Sequence, residues 1–174
     1  GKENSEKKLK PLLDTLNIDK IYCSPFIRVL QTIQPFAKTH NIQPSCDYCL
    51  AETVTETNFI EKPDMTLTEE QSKEFNVNKY HESLFDKKKL LYPESDNQIE
   101  ERVKIFCKYL EERYGRSNVT ILVASHMDIV NLCLAYFSKK EINRHTYYEM
   151  GKVSTVENNK IVFLNEGSEL DHQV

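Results

Sequence analysis

The sequence predicts an α/β protein, a three-layer α/β/α sandwich around a central, mostly parallel sheet. Three features predict it. Residues 18–23 form a short β-type run that stops at Ser24-Pro25 and gives way to a helical stripe of Phe26, Val29, Leu30, Ile33, Phe36 and Ala37. Val119 to Ala124 is a nearly continuous apolar run, the signature of a strand buried on both faces, and a second stripe of Ile129, Leu132, Cys133 and Tyr136 follows it. Between them Ile99, Val103, Phe106 and Leu110 recur at helical spacing. Strands alternating with amphipathic helices bury both faces of a parallel sheet.

Each element has its own justification. Leu9, Leu12, Leu13 and Leu16 fall at i, i+3, i+4, i+7 and predict a helix, with Pro11 marking its first turn. Ser24-Pro25 closes the first strand at a helix cap, and Pro35 falls near the end of the helix that follows. Residues 53–92 are mostly polar, with scattered aromatics and one helix expected around Thr68 to Phe75. They read as an insertion or cap over the core, more mobile than the sheet, because the aromatics need a surface to pack on. The long helix starts near Ser95 or Asp96 and stops at Gly115. Asp128 is positioned to cap the helix after the buried strand. Residues 153–156 and 161–164, parted by Asn158-Asn159, predict a terminal hairpin. The 174 residues read as one domain.

Composition removes several function classes. Lys plus Arg total 23 against 27 Asp plus Glu, and a net charge of −4 exerts no general pull on nucleic acid. No apolar run is long enough to span a bilayer. The four glycines, Gly1, Gly115, Gly151 and Gly167, are too scattered for a Rossmann fingerprint or a P-loop, so no nucleotide cofactor of those types is expected. Five cysteines are an odd number for a disulfide framework, and no signal peptide opens the chain, which points to a reducing, cytoplasmic setting. Cys46 and Cys49 form a C-x-x-C without a second ligand pair, among strand-like residues, so neither metal nor redox use is expected.

Two junctions carry reactive side chains. In open parallel sheets, ligands bind where strands end and helices begin, because helix N-termini present free N–H groups. Tyr22-Cys23-Ser24-Pro25-Phe26-Ile27-Arg28 places an Arg one turn into a Pro-started helix. Val123-Ala124-Ser125-His126-Met127-Asp128 places a His just past the buried strand. Singly, such an Arg is also a common surface ion pair and such a His a common structural hydrogen bonder. Together, at equivalent junctions, they outline an anion site the size of a phosphate.

These residues resemble the histidine phosphatase superfamily, also called phosphoglycerate mutase-like. The resemblance rests on Ile21 to Thr32 with its Ser-Pro, Arg28 and Gln31-Thr32, on Leu50-Ala51-Glu52, on Glu94-Ser95 followed by Arg102-Val103, and on Val123-Ala124-Ser125-His126. The C-terminal part is closer in style to phosphatases related to ecdysteroid-phosphate phosphatase and the suppressors of T-cell receptor signalling than to glycolytic mutases. The resemblance implies that Arg28, with Ser24 and His126, binds the phosphate, that His126 stabilises the transferring group, and that Glu52 donates a proton to the leaving oxygen. Glu56 competes with Glu52 for that role, and a solvated loop carboxylate is the plain alternative. Met127 stands where many relatives carry a small residue. The implied chemistry needs no metal and no cofactor, since cationic side chains spread the charge. The implied partner is a phosphorylated small molecule or a phosphoprotein; oligomeric state is open.

One departure matters. The family's nucleophile is a His in an Arg-His-Gly motif between the first strand and the first helix, and no such motif occurs here. The resemblance therefore implies that the first strand, the nucleophile and its neighbouring Arg are absent from this chain, leaving a strand edge uncovered. Arg144-His145-Thr146, the sole Arg-His pair, lacks the Gly and a preceding apolar strand. His40, His81 and His172 lie in polar surroundings and read as surface residues. Three functions fit: a hydrolase working through a phosphohistidine in a parent protein that holds the missing segment, a pseudophosphatase kept as a binding or structural module, and a mutase proper.

Overall fold

The computed structural model describes residues 2–147, 151–158 and 160–164. Helix α1, residues 2–13, is α-helical at Lys2–Asn4 and Lys10–Leu13 and π-helical at Ser5–Leu9. Pro11 therefore does not open the helix. Its missing N–H falls just after the π-helical turn, where the Lys10 N–H reaches back five residues to the Ser5 carbonyl. Leu9 and Leu13 form the buried edge of this helix.

Strand β1 (Lys20–Cys23), helix α2 (Ile27–His40) and strand β2 (Pro44–Cys46) make a parallel β-α-β unit in which Cys23 lies opposite Cys46. Asn41, at φ 53°, ends α2 in the left-handed conformation, and its N–H caps the Ala37 and Lys38 carbonyls. Pro25 stands before the N-cap, Phe26, so Arg28 is the second helical residue, not one turn in. Helix α3 (Glu69–Glu74) and helix α4 (Asp96–Tyr114) each begin at a reciprocal capping box, Thr68 with Gln71 and Ser95 with Gln98. Strand β3 (Ile121–Ala124) pairs in parallel with β1, and helix α5 (Met127–Ser138) follows. The N-cap of α5 is His126, and Asp128 lies inside the first turn instead of capping it. Strands β4 (Ser154–Glu157) and β5 (Lys160–Leu164) form the expected antiparallel hairpin.

The sheet order is β2-β1-β3. Alternation along the strands builds two separate cores. Ile21, Cys23, Leu122 and Ala124 face α1 and α2, where they meet Leu13, Leu30, Ile33 and Phe36. Tyr22, Ile121 and Val123 face α4 and α5 and meet Ile99, Val103, Phe106 and Ile129. The result is an α/β architecture, a parallel sheet with helices on both faces. One expectation needs correction: β3 is half-buried at all four residues, not buried on both faces. Among the described residues only β1 pairs with it, so β1 takes the sheltered central position.

Residues 53–92 hold α3 and a single 3-10 turn, Lys87–Lys89. Met65 and Leu90 pack with Ala51 and Val54, and Phe75 joins the core beside α2. Asp47, fully buried, ties this stretch to the end of β2. Its carboxylate accepts hydrogen bonds from Cys49 N–H (2.9 Å), Leu84 N–H (3.0 Å), the Ser83 hydroxyl (3.0 Å) and His81 Nε2 (3.0 Å). His81 is consequently no surface residue. Its ring is almost wholly enclosed, with its edge against Tyr22. His40 fits its reading better, half-exposed and paired with Asp14. His172 lies outside the described residues. Among the described residues no helix is long and apolar enough to cross a membrane.

Candidate active site

Four side chains from three segments meet at the C-terminal end of the parallel strands. Ser24 leaves β1, where its N–H bonds the Ala124 carbonyl of β3 (2.9 Å) and draws the two junctions together. Arg28 stands on the first turn of α2, Glu52 follows the 3-10 turn Tyr48–Leu50, and His126 caps α5. The His126 Nδ1 atom lies 3.0 Å from Glu52 Oε2, and Arg28 Nη2 lies 3.2 Å from the same oxygen. The Ser24 hydroxyl lies 2.8 Å from His126 Nε2.

These contacts define the imidazole tautomer. Phe26 N–H donates to Ser24 Oγ (3.3 Å), leaving the Ser24 hydrogen free to donate to Nε2. Nδ1 then carries the proton and donates a hydrogen bond to Glu52. Arg28 Nη2 is also 3.2 Å from Nδ1, but both are donors, so they converge on Glu52 and not on each other. Ser24 is fully buried, and its hydroxyl, bonded to His126 Nε2 and to the Phe26 N–H, orients the imidazole.

Burial pushes the pKa of His126 below its ordinary value, more than the Glu52 hydrogen bond lifts it, and Arg28 and Arg102 add to the fall. At neutral pH the ring is uncharged, and Arg28 is the cation of the site. Burial works to raise the Glu52 pKa, but the His126 hydrogen bond, the Thr53 N–H and Arg28 outweigh it and hold the carboxyl below its ordinary value. Both groups have depressed folded values, so both contribute stability that is lost on acidification. The His126 share is complete above 6.5 and the Glu52 share above 4.5, and each disappears as pH falls through its folded value. We expect the His126 ring resonances to titrate with a midpoint below 6.5 and lower still in Glu52→Gln. An upward shift in that variant, measured by NMR, would contradict the assignment.

A buried arginine shapes the loop that carries Glu52. Arg102, fully enclosed in α4, donates through Nε and Nη2 to the two Glu94 oxygens (2.9 and 3.0 Å). Its remaining hydrogens go to the carbonyls of Cys49 (2.8 Å), Ala51 (2.9 Å) and Glu52 (3.0 Å). All five donors are satisfied. Glu94 in turn accepts the Val54 N–H (2.9 Å), and the Ser125 hydroxyl holds the Leu50 carbonyl (2.7 Å). A residue pattern shows the arginine in advance: Arg102 stands on the apolar stripe of α4, between Ile99 and Phe106, in a chain with only five arginines. Asp47 has no comparable signal.

Glu52, not Glu56, is the carboxylate in the cluster; Glu56 is exposed. The N-terminal half of Arg144-His145 reaches Asp96 (2.6 Å), and His145 Nδ1 lies 3.2 Å from Asp128, so the pair serves the first turns of α4 and α5. All five cysteines are free; Cys46 Sγ is 3.7 Å from Cys23 Sγ, across the strands, and Cys49 is buried. Among the described residues no three His, Cys, Asp or Glu side chains are grouped to hold a metal ion. A groove of about 240 Å³ opens beside Arg28, walled by Phe26 and by Asp64, Met65 and Leu67 of the 53–92 stretch.

A sequence-family model described as Histidine phosphatase superfamily (branch 1) matches residues 3–172. The chain belongs to the histidine phosphatase superfamily. Solved structures of similar fold include the ecdysone phosphate phosphatase from Bombix mori in complex with tungstate, with TM-score 0.62 and 13% identity over 86% of this chain. The α-ribazole phosphatase from Shigella flexneri matches with TM-score 0.59 and 17% identity over 93% of this chain and 79% of its own. YhfR of Bacillus stearothermophilus matches with TM-score 0.57 and 14% identity, over 96% of this chain and 82% of its own. At these identities the likeness is one of fold. This chain spans 58% of the Bombix mori protein. No curated protein matches it. Membership in the histidine phosphatase superfamily fits the place of the cluster, at the edge where parallel strands give way to helices.

Proposed function

We propose that this chain is a phosphomonoester phosphatase-like domain in which Arg28 and His126 bind the phosphoryl group and Glu52 serves as the proton donor to the leaving oxygen. The observation that carries the reading is the convergence of Arg28 and His126 Nδ1 on one oxygen of Glu52. Two donors aimed at one oxyanion are what a phosphate requires. In the resting site the Glu52 carboxylate occupies the place of that oxyanion. A phosphate dianion competes for the same two donors, and Glu52 then loses the His126 and Arg28 interactions that help keep its pKa low. Burial and the new negative charge both favour its protonated form, so substrate arrival itself arms the acid. Ser24 keeps the imidazole turned so that Nδ1 faces the ligand. Residues 53–92, whose side chains wall the groove beside Arg28, act as the cap.

Turnover through a phosphohistidine needs an in-line nucleophile, and the 174 residues contain no Arg-His-Gly. Of the histidines outside the cluster, His40, His81 and His145 are each engaged with an aspartate. We expect the purified chain to bind phosphate or vanadate and to show no turnover of a chromogenic phosphomonoester. Arg28→Ala should weaken phosphate about ten- to a hundredfold, because a charge-assisted hydrogen bond is worth roughly 1.5–3 kcal/mol. Phosphate affinity unchanged in Arg28→Ala would sink the site. Turnover by the chain that vanishes in Arg28→Ala would instead overturn the need for a supplied histidine. A second reading is a pseudophosphatase that binds a phosphorylated partner without turnover. Assay of the parent protein against phosphorylated sugars, peptides and a chromogenic ester separates the two.

A further inference from the structure

We propose that the ester's alcohol portion is aromatic or otherwise apolar, and that Phe26 and Phe59 form the shelf that receives it, with Phe59 determining specificity. This rests on the phosphomonoester reading above. An acid that protonates the leaving oxygen must adjoin the leaving group, so the chain running on from Glu52 borders the space where that group lies. Thr53 donates its N–H to Glu52 Oε1 (3.0 Å), and Asn58 Nδ2 then folds back on the Thr53 carbonyl (3.1 Å). The Phe59 N–H bonds the Thr55 carbonyl (3.0 Å), and the Tyr92 hydroxyl holds the Phe59 carbonyl (2.7 Å). The loop is thus pinned at both ends, and Phe59 is held in place before any ligand arrives.

The rings continue from the phosphate site outward. The Phe26 ring stands edge-to-face with His126 at 5.2 Å, lies under the Arg28 guanidinium at 4.5 Å and meets the Phe59 ring at 5.8 Å and 30°. Phe26 itself is backed by the cluster of Ala51, Val54, Met65 and Leu90. Next in the chain after Phe59, Ile60 is 100% exposed. An aryl group on the ligand gains ring contacts with Phe26 and Phe59.

The experiment measures binding of three ligands to the purified chain: inorganic phosphate, phenylphosphonate and glycerol phosphate. Phenylphosphonate should bind about tenfold tighter than glycerol phosphate, a difference of about 1.4 kcal/mol. Phe59→Ala should erase that preference, and Phe59→Leu should keep part of it, with inorganic phosphate affinity and thermal midpoint little changed in both. If inorganic phosphate binds and depends on Arg28 but the phenyl ligand has no advantage, the shelf is wrong and the phosphate site stands. Equal weakening of all three ligands in Phe59→Ala, with the fold intact, also overturns it. Failure of inorganic phosphate to bind at all refutes the phosphomonoester reading first, and the shelf with it.

Discussion

Arg102→Ala is expected to cost about 3–5 kcal/mol of folding stability, the range found when one partner of a buried ion pair is removed. The loss exceeds that of an ordinary salt bridge because the guanidinium satisfies three backbone carbonyls as well as both Glu94 oxygens. Truncation leaves Glu94 almost wholly buried opposite a cavity, and frees the loop of residues 49–52. Arg102→Lys should recover little, since an ammonium has three donors where five are used and cannot reach a carboxylate and three carbonyls at once. The check is the denaturant midpoint, together with phosphate affinity at a temperature where the variant is still folded. A variant as stable as the parent would show that the clamp is ornamental. One that folds with unchanged phosphate affinity and an unshifted His126 midpoint would show that it does not position Glu52.

Asp47→Ala should be next in size, on the order of 3 kcal/mol, because it strands several buried donors together, at roughly 1–3 kcal/mol for each left without a partner. Cys49 N–H, Leu84 N–H, the Ser83 hydroxyl and His81 Nε2 all end on this one carboxylate. Burial alone would raise the Asp47 pKa, but the His81 hydrogen bond and the two backbone N–H groups overcome it and hold the value below 3.8. With the folded value depressed, its stabilisation is present above 3.8 and is lost as pH falls through the folded value. Asp47→Asn keeps two acceptor lone pairs and should lie between. Hydrogen exchange of residues 81–85 separates this local tether from a global effect: protection there should fall further than in β1. Uniform loss would mean that Asp47 only supports the core.

How much of this was legible in the sequence depends on the range of the interaction. The capping boxes at Thr68 and Ser95 are contacts over three residues, and the helices they start are expected from the chain alone. Local rules were less reliable where a neighbour in space intervened. The run at Val119 to Ala124 looks like a central strand, yet β1 is the sheltered one, because burial of a strand depends on what pairs with its two edges. His81 has a polar sequence neighbourhood, and its burial depends on Tyr22 of β1 and on Asp47 just past β2.

The site divides in the same way. Arg28, Glu52 and His126 could be named because junction chemistry and a family resemblance point to residue types at short spacing. The hydrogen bonds that assemble them span 24 positions between Arg28 and Glu52 and 102 between Ser24 and His126, through contacts no local pattern encodes. Only the folded arrangement decided that Ser24 turns the imidazole and that Glu52 rests on both donors. The same holds for the Arg102 clamp beneath them and for the Phe59 ring beside Phe26. The sequence by itself determined the elements, their alternation and the chemical types available, since propensity, capping and periodicity act within a few residues. Tertiary structure decided tautomer, pKa and which donors share an acceptor, because each depends on burial and on distances set by parts of the chain far apart in order.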